Sequence, residues 1–332
     1  MGILFSLLIV VGLAVVALVG ASMGHGMQMF FGVIVPYVSL AIFIVAGINK
    51  VVKWGRTPVP FQIPTTCGQQ KSLPWIKHSP IENPNDTWGV VRRMALEVLL
   101  FRSLFRNLKT EINDGKLSYG SEKLLWLAGL AFHVSFFTVV LRHLRFFITP
   151  VPAFINITDS LDGFMQVGAP HLLLTGVILV AATAFLLYRR IGMAQIKHIS
   201  LPADYFPLFL IIGIALSGIV MRYVTKVDIV KVKELTMGLL SFSFTVPSGI
   251  GVVFFIHVFL ISTLLAYFPF SKLMHLGGVF LSPTRNMPNN SREKRHINPW
   301  NDTFGTEVHT YAHYEDAFRE KMKDAGLPVE KE

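Results

Sequence analysis

The chain has 332 residues, of which 52% are hydrophobic and 15% are charged, and its net charge is +10. Because soluble domains carry about 25% charged residues, this composition excludes a disordered chain and argues against a soluble multidomain enzyme. The single cysteine, Cys67, excludes a disulfide framework, a cysteine-ligated zinc site and an iron–sulfur cluster held by this chain alone.

Six apolar runs are long enough to cross a membrane, because a spanning helix needs about 20 mostly apolar residues. In chain order they cover residues 3–21, 29–48, 124–147, 172–188, 205–224 and 250–268. A buried soluble helix explains one such run but not six. The first run lacks the basic start of a signal peptide, and we expect it to be retained. The sequence therefore predicts an all-α integral membrane protein with six transmembrane helices.

The runs divide the chain into two N-terminal helices, a loop, a four-helix membrane part and a tail, over residues 1–52, 53–122, 123–281 and 282–332. Within the loop, arginines and leucines alternate over residues 88–112, which is typical of a basic amphipathic helix at the membrane surface. The alternative is an ordinary surface helix packed on the bundle. The polar tail is typical of either a docking segment or a disordered end.

Lysine and arginine are distributed unevenly among the connections. Residues 50–123 hold 12, residues 189–197 hold 3 and the tail from residue 272 holds 9, which leaves 6 for the other side of a six-span protein. Basic residues concentrate on the cytoplasmic side of a membrane. The sequence therefore predicts both termini in the cytoplasm of a prokaryotic inner membrane. The same bias explains the net charge of +10. We therefore expect membrane lipid around the protein and no nucleic-acid partner.

Four of the 11 histidines lie in or beside two of the spans: His133 and His143 in the third, His257 in the sixth, and His275 at its cytoplasmic end. Ionisable residues inside a span are costly and are therefore functional candidates. Imidazole is an axial ligand of haem iron, so two histidines facing two others suit two bis-histidine haems. Because the two spans run in opposite directions, we expect the pairs His143–His257 near the outer face and His133–His275 near the cytoplasmic face.

The two spacings do not match on ideal helices. If the sixth helix continues past Pro269, its histidines are 18 residues apart against ten on the third, an axial difference of about 12 Å. We expect tilt, a kink at Pro269 and the width of the haem to absorb it. Packing histidines, a proton relay and a three-histidine metal site are the alternatives. No GxSxG, HExxH or P-loop pattern supports hydrolase or nucleotide chemistry.

This double spacing resembles the NarI-like family, the membrane cytochromes b of respiratory nitrate reductase and their relatives, over roughly residues 30 to 280. The resemblance implies a five-span core with two b haems, ligated by a ten-residue pair and an eighteen-residue pair in antiparallel arrangement. The same four histidines fit those positions. The first run is an extra N-terminal helix relative to that core.

The segment PTTCGQQKSLPWIK, residues 64–77, resembles the DsrM-type cytochromes of complexes linked to dissimilatory sulfite reduction. That resemblance implies menaquinol as electron donor, a cytoplasmic iron–sulfur partner, DsrK, further subunits DsrJ, DsrO and DsrP, and reduction of the DsrC trisulfide. Cys67 is either part of the surface for the partner or a buried small residue. The alternatives are a nitrate or heterodisulfide reductase cytochrome, the same chain reducing quinone, and a non-redox transporter or scaffold.

Five further residues near the predicted outer pair are candidates for supporting roles. His171 is predicted to hydrogen-bond the quinone, or else to be a water-exposed histidine at a helix end. Asp159 and Asp162 are expected to be solvated loop or cap residues. Arg142 and Arg145 flank one histidine, and a planar guanidinium suits a haem propionate. The alternative for both arginines is snorkelling to the interface.

Overall fold

The computed structural model describes residues 2–59, 62–63, 68–294 and 310–331, and these are mostly helical. Two compact units divide the chain: Met1–Arg56 with Met94–Leu281, and Thr57–Arg93 with Ser282–Glu332. The α-helices and strands are α1 (Gly2–Ser22), α2 (His25–Met29), α3 (Val35–Gly55), α4 (Thr87–Leu100), α5 (Arg102–Phe105), β1 (Leu108–Asn113), β2 (Lys116–Ser121), α6 (Lys123–His143), α7 (Ala153–Asp162), α8 (Leu174–Gly192), α9 (Ala194–Ile199), α10 (Pro202–Ile219), α11 (Ile229–Leu240), α12 (Val252–Tyr267), α13 (His275–Gly278) and α14 (Tyr311–Asp324).

Six helical stretches of the described chain are long and apolar enough to cross a membrane: Gly2–Ser22, His25–Gly55, Lys123–Phe146, Leu174–Gly192, Pro202–Val224 and Val252–Phe270. Each overlaps one predicted run. Large apolar side chains lie exposed along them, as lipid contact requires. The prediction of an all-α, six-span, multi-pass membrane protein is therefore confirmed.

Helix α12 lies at the centre of the membrane unit and packs against α1, α3 and α10, while α6 packs on α8. The fully buried Phe255 of α12 meets Gly32 so closely that a Cβ there would lie 3.1 Å from the phenyl ring. Gly32 belongs to the π-helical turn Phe30–Ile34 that joins α2 to α3. Helix α10 also packs against α8, so it contacts both the fourth and the sixth spans, while α8 contacts the third.

The amphipathic helix predicted over residues 88–112 is shorter than expected. Helix α4 ends at Leu100, and Phe101 takes the left-handed conformation, with φ 49°. The following strands β1 and β2 pair as an antiparallel hairpin. Its turn is Asp114-Gly115, with φ values of 50° and 75°, and a two-residue turn of this kind favours Asp-Gly. The prediction was wrong beyond Leu100 because leucine content outweighed this turn signal.

In the second unit, the segment that begins at Thr57 packs with the tail. The Asn289 side chain donates to the side-chain oxygen Oδ1 of Asn83 at 3.0 Å, and the Gln62 side chain donates to the backbone oxygen of Thr284 at 2.9 Å. Lys71 pairs with Glu293 at 3.1 Å. The sequence treated loop and tail as separate parts, whereas these contacts join them, and α14 gives the tail regular structure.

Glu315 of α14 binds the end of the chain. Its carboxylate is only 1% exposed and accepts the backbone N–H groups of Glu330 and Lys331, each at 2.9 Å. These hydrogen bonds hold the pKa of Glu315 below its usual value.

A carboxyl with a lowered folded-state pKa stabilises at pH above its unfolded pKa of about 4.3, and this contribution is lost as the pH falls through the folded value. We expect hydrogen-exchange protection of the Glu330 and Lys331 amides, corrected for intrinsic rates, to drop at pH 3 relative to pH 6. Glu315→Gln is expected to abolish this pH dependence. Equal protection at both pH values in the parent would contradict the role given to the carboxylate.

Candidate functional site

Helix α6 carries two of the four candidate histidines on one unbroken helix. His133 lies in its middle and His143 is its last residue, so ten residues of α-helix separate them by about 15 Å along the axis. The predicted axial separation of His133 and His143 therefore agrees with the structure.

The expected continuous helix through His275 is wrong. Helix α12 ends at Tyr267, a 3₁₀ turn carries Pro269, and Ser271 is extended, with φ −114° and ψ 175°. Proline cannot donate a backbone hydrogen bond, and the Ser271 hydroxyl caps a new turn by accepting from the Leu273 N–H at 3.1 Å. This break removes the axial mismatch between the two spacings, because 18 residues no longer correspond to one straight helix.

The structure brings the four histidines together in the two pairs that the helix directions predict. The ring centroids of His143 and His257 are 6.4 Å apart with planes 24° from parallel. Those of His133 and His275 are 5.8 Å apart and nearly perpendicular, at 85°. A metal held about 2 Å from one nitrogen of each ring places two imidazole centroids about 6 Å apart. Both pairs have the separation that a bis-histidine metal requires.

Each candidate ligand has its Nδ1 engaged by a neighbour. His133, His143 and His275 bond through Nδ1 to backbone oxygens of Gly129, Val139 and Lys272 at 2.7, 2.6 and 2.9 Å. His257 bonds through Nδ1 to the Ser217 hydroxyl at 2.8 Å. Such a bond fixes the orientation of a ligating histidine and leaves Nε2 for the metal. The donor set therefore fits two haem irons.

The surroundings of the pairs are aromatic or tightly packed. Around His133 stand Phe101, at a centroid distance of 4.9 Å, and Phe132, at 5.0 Å. His257 is 7% exposed, and a Cβ at Gly218 would lie 3.3 Å from its Cε1 atom. Apolar walls lower the local polarity around the His133–His275 pair, and Gly218 lets α10 approach His257.

A buried ion-pair cluster lies beside His143. Arg142 Nη1 is 2.9 Å from Asp162 Oδ2 and 3.7 Å from Asp159 Oδ1, and Arg145 Nη1 is 3.1 Å from Asp159 Oδ2. Asp162 also accepts the backbone N–H of Thr175 at 2.7 Å, near the start of α8. The single carboxylate of Asp162 thus ties the end of α6 to the beginning of α8.

This cluster corrects two expectations. Asp162 is 6% exposed and is not solvated, although it does cap a helix, namely α8. Arg142 is 7% exposed and paired, so it does not snorkel to the interface. Its Nε is buried without a hydrogen-bond partner among the described residues. An unbonded guanidinium donor next to a candidate ligand fits the prediction that Arg142 binds a haem propionate.

The predicted quinone residue His171 precedes α8, on the side of the cluster. Its backbone oxygen accepts from Arg222 at 3.3 Å and from the Tyr223 hydroxyl at 3.4 Å. Its ring packs on Gly163 so closely that a Cβ there would lie 2.2 Å from Cδ2. These hydrogen bonds fix the backbone of His171, and the contact with Gly163 fixes its ring. Its role in binding quinone stays a prediction.

A family model described as the nitrate reductase gamma subunit matches residues 87–288 of this chain. The match covers more than half of the sequence and both histidine pairs. The chain belongs to the nitrate reductase gamma subunit family.

Two curated relatives are similar over most of their length. The protein of Archaeoglobus fulgidus named Hdr-like menaquinol oxidoreductase cytochrome b-like subunit is 46% identical over 277 residues, which cover 81% of this chain and 83% of the relative. The protein of the same name from Archaeoglobus profundus is 41% identical over 285 residues, which cover 84% of each chain. Both names describe a redox subunit.

Several residues of the site escaped the sequence analysis. Ser217 and Gly218 are far from His257 in the sequence, and Phe101 is far from His133, so no local pattern pointed to them. No group of three or more histidine, cysteine, aspartate or glutamate side chains in the described ranges could hold a metal ion, which disfavours a three-histidine site. Cys67, with the first residues of the segment 64–77, lies outside the described residues.

Proposed function

We propose that this family member is the dihaem cytochrome b subunit of a menaquinol-oxidising membrane complex. The observation that carries the proposal is the presence of two histidine pairs at centroid distances of 5.8 and 6.4 Å, in a chain whose relatives are named menaquinol oxidoreductase subunits. Two b haems bound there supply one-electron redox chemistry at two depths of the membrane.

The protein's own residues hold and orient these groups. Nε2 of each histidine would hold the iron, while Nδ1 keeps the ring in place through the backbone oxygens and the Ser217 hydroxyl. Arg142 and Arg145 would bind the propionates of the haem held by His143 and His257, and the two aspartates compensate the arginine charges. Phe101 and Phe132 exclude water from the inner pair.

Quinol oxidation must release protons as well as electrons. We assign the first proton acceptance to a ring nitrogen of His171, since histidine is the side chain most often used as a general base. Gly163 and the contacts of the His171 backbone oxygen orient the imidazole. With the basic loops in the cytoplasm, protons leave on the outer side and electrons reach the inner pair.

For the electron acceptor we propose a cytoplasmic iron–sulfur subunit of the heterodisulfide reductase type, as the names of both relatives suggest. The finer proposal is the sulfite-reduction system, with DsrK as this subunit, DsrJ, DsrO and DsrP in the same complex, and the DsrC trisulfide as final acceptor. The subunits that co-purify with the chain distinguish this system from a nitrate or heterodisulfide reductase.

The test is a haem count and a reduction assay on the purified complex. We expect a pyridine haemochrome spectrum to give two b haems per chain, and menadiol, a soluble naphthoquinol, to reduce both. A folded chain without haem would overturn the proposal in favour of a transporter or scaffold. Haems that dithionite reduces and menadiol does not would overturn quinol oxidation alone.

A further inference from the structure

A membrane-facing cavity of about 600 Å³ lies between α3, α10 and α12, within the first unit. It is bounded by Ile34 at the end of the π-helical turn and by Val38 and Ile42 of α3, which recur every four residues and so share one helix face. Phe206 of α10 and Phe259 of α12 add aromatic walls. The cavity is therefore an apolar, partly aromatic groove between helices of three spans, open on the side of the exposed Ile34, Val38 and Ile42.

This cavity is distinct from the histidine site. Its α12 lining includes Phe259, Ser262 and Ala266, whereas His257 precedes Ser262 by five residues and points about 140° away around the helix. His257 faces His143 and the Ser217 hydroxyl instead. A molecule in the cavity would be separated from the outer histidine pair by the body of α12.

One hydroxyl in the cavity wall has no partner. Ser262 is 2% exposed and forms no hydrogen bond with any described residue. The neighbouring hydroxyls are satisfied, since Thr263 donates to the Phe259 oxygen and Ser39 to the Pro36 oxygen, each at 2.9 Å. Because Ser262 lines the cavity and its hydroxyl has no partner among the described residues, it is available to a ligand that brings an acceptor oxygen.

We propose that this cavity binds a prenylated quinone, with Ser262 donating to one ring carbonyl and the aromatic walls contacting the ring. A quinone fits better than an acyl chain because aromatic side chains favour a flat ring, and it offers the one acceptor that Ser262 lacks. The identity of the quinone rests on the proposed function. The site holds quinone beside α12 and is separate from the region of His171.

The test is photolabelling of the purified haem-containing complex with an azido-substituted menaquinone, followed by peptide mapping. We expect label on α3 and α12 residues of the cavity, and competition by excess menaquinone-4. Ser262→Ala is expected to reduce this labelling about fivefold, the effect of one ordinary hydrogen bond. Ser262→Phe, which places a bulky ring at the proposed hydrogen-bonding position, is expected to abolish it.

Thr263→Val is the matched control, because its hydroxyl is already bonded to its own helix, and labelling should be unchanged. The haem spectrum of each variant reports folding, since His257 lies on another face of α12 and the other three histidines lie outside that helix. Label absent from the cavity, or displaced by phosphatidylglycerol and not by menaquinone-4, would overturn the inference. Menadiol reduction measured in parallel keeps the proposed function separately testable.

Discussion

Replacing His257 by alanine is expected to remove one of two haems and leave the other bound. A haem held by two histidines would need both imidazoles of a pair, and among the described residues the ring that faces His257 is that of His143, at 6.4 Å between centroids. The other pair joins His133 of α6 to His275, which follows the break at Ser271, and its two histidines have their own contacts. Loss of one site therefore leaves the second intact.

The four single alanine variants are expected to fall into two classes. His143→Ala and His257→Ala should remove the same spectral component, and His133→Ala and His275→Ala the other, each halving the haem count. Low-temperature reduced-minus-oxidised spectra with a pyridine haemochrome assay measure both. His198→Ala, on the short helix α9 and outside both pairs, is the control and should retain two haems.

A different grouping would contradict the pairing. If His143→Ala and His275→Ala removed the same spectral component, His143 would pair with His275. The break after α12 would then not determine which histidines bind the same haem. Retention of both haems in all four variants would remove the histidines from the ligand set.

Replacing Asp162 by alanine is expected to destabilise the membrane unit by about 3–5 kcal/mol, the cost of removing one partner of a buried ion pair. Arg142 would keep only the more distant Asp159, at 3.7 Å, and the Thr175 N–H would lose its acceptor. The end of α6, which carries His143, would then be less firmly held against α8. A weaker outer haem site should accompany the loss of stability.

The measurement is the half-life of the detergent-solubilised protein at a fixed elevated temperature, followed by tryptophan fluorescence. Asp316→Ala is the matched control, because Asp316 forms ion pairs with Arg319 and Lys331 on an exposed surface, where such pairs contribute about 0–1 kcal/mol. Equal half-lives for the two variants would show that the buried Asp162–Arg142 ion pair contributes no more stability than the exposed pairs of Asp316.

Much of the membrane architecture follows from local sequence. A spanning helix satisfies its own backbone hydrogen bonds, so apolar length alone predicted all six spans to within a few residues at most of their ends. The directions of the third and sixth spans were enough to predict which histidines come together. The turn of the β1–β2 hairpin was also visible in the sequence, as Asp114-Gly115, but was overlooked.

Other features depend on how the helices are rotated and where they stop. The pairing of Arg142 with Asp162, the hydroxyl of Ser217 on His257 and the contact of Phe101 with His133 join residues distant in sequence. The break at Ser271 determines the distance between His257 and His275, which are 18 residues apart in the sequence. Apolar length and helix direction are properties of each segment alone, whereas rotation and side-chain pairing arise only when the segments pack together, and only the tertiary structure supplied them.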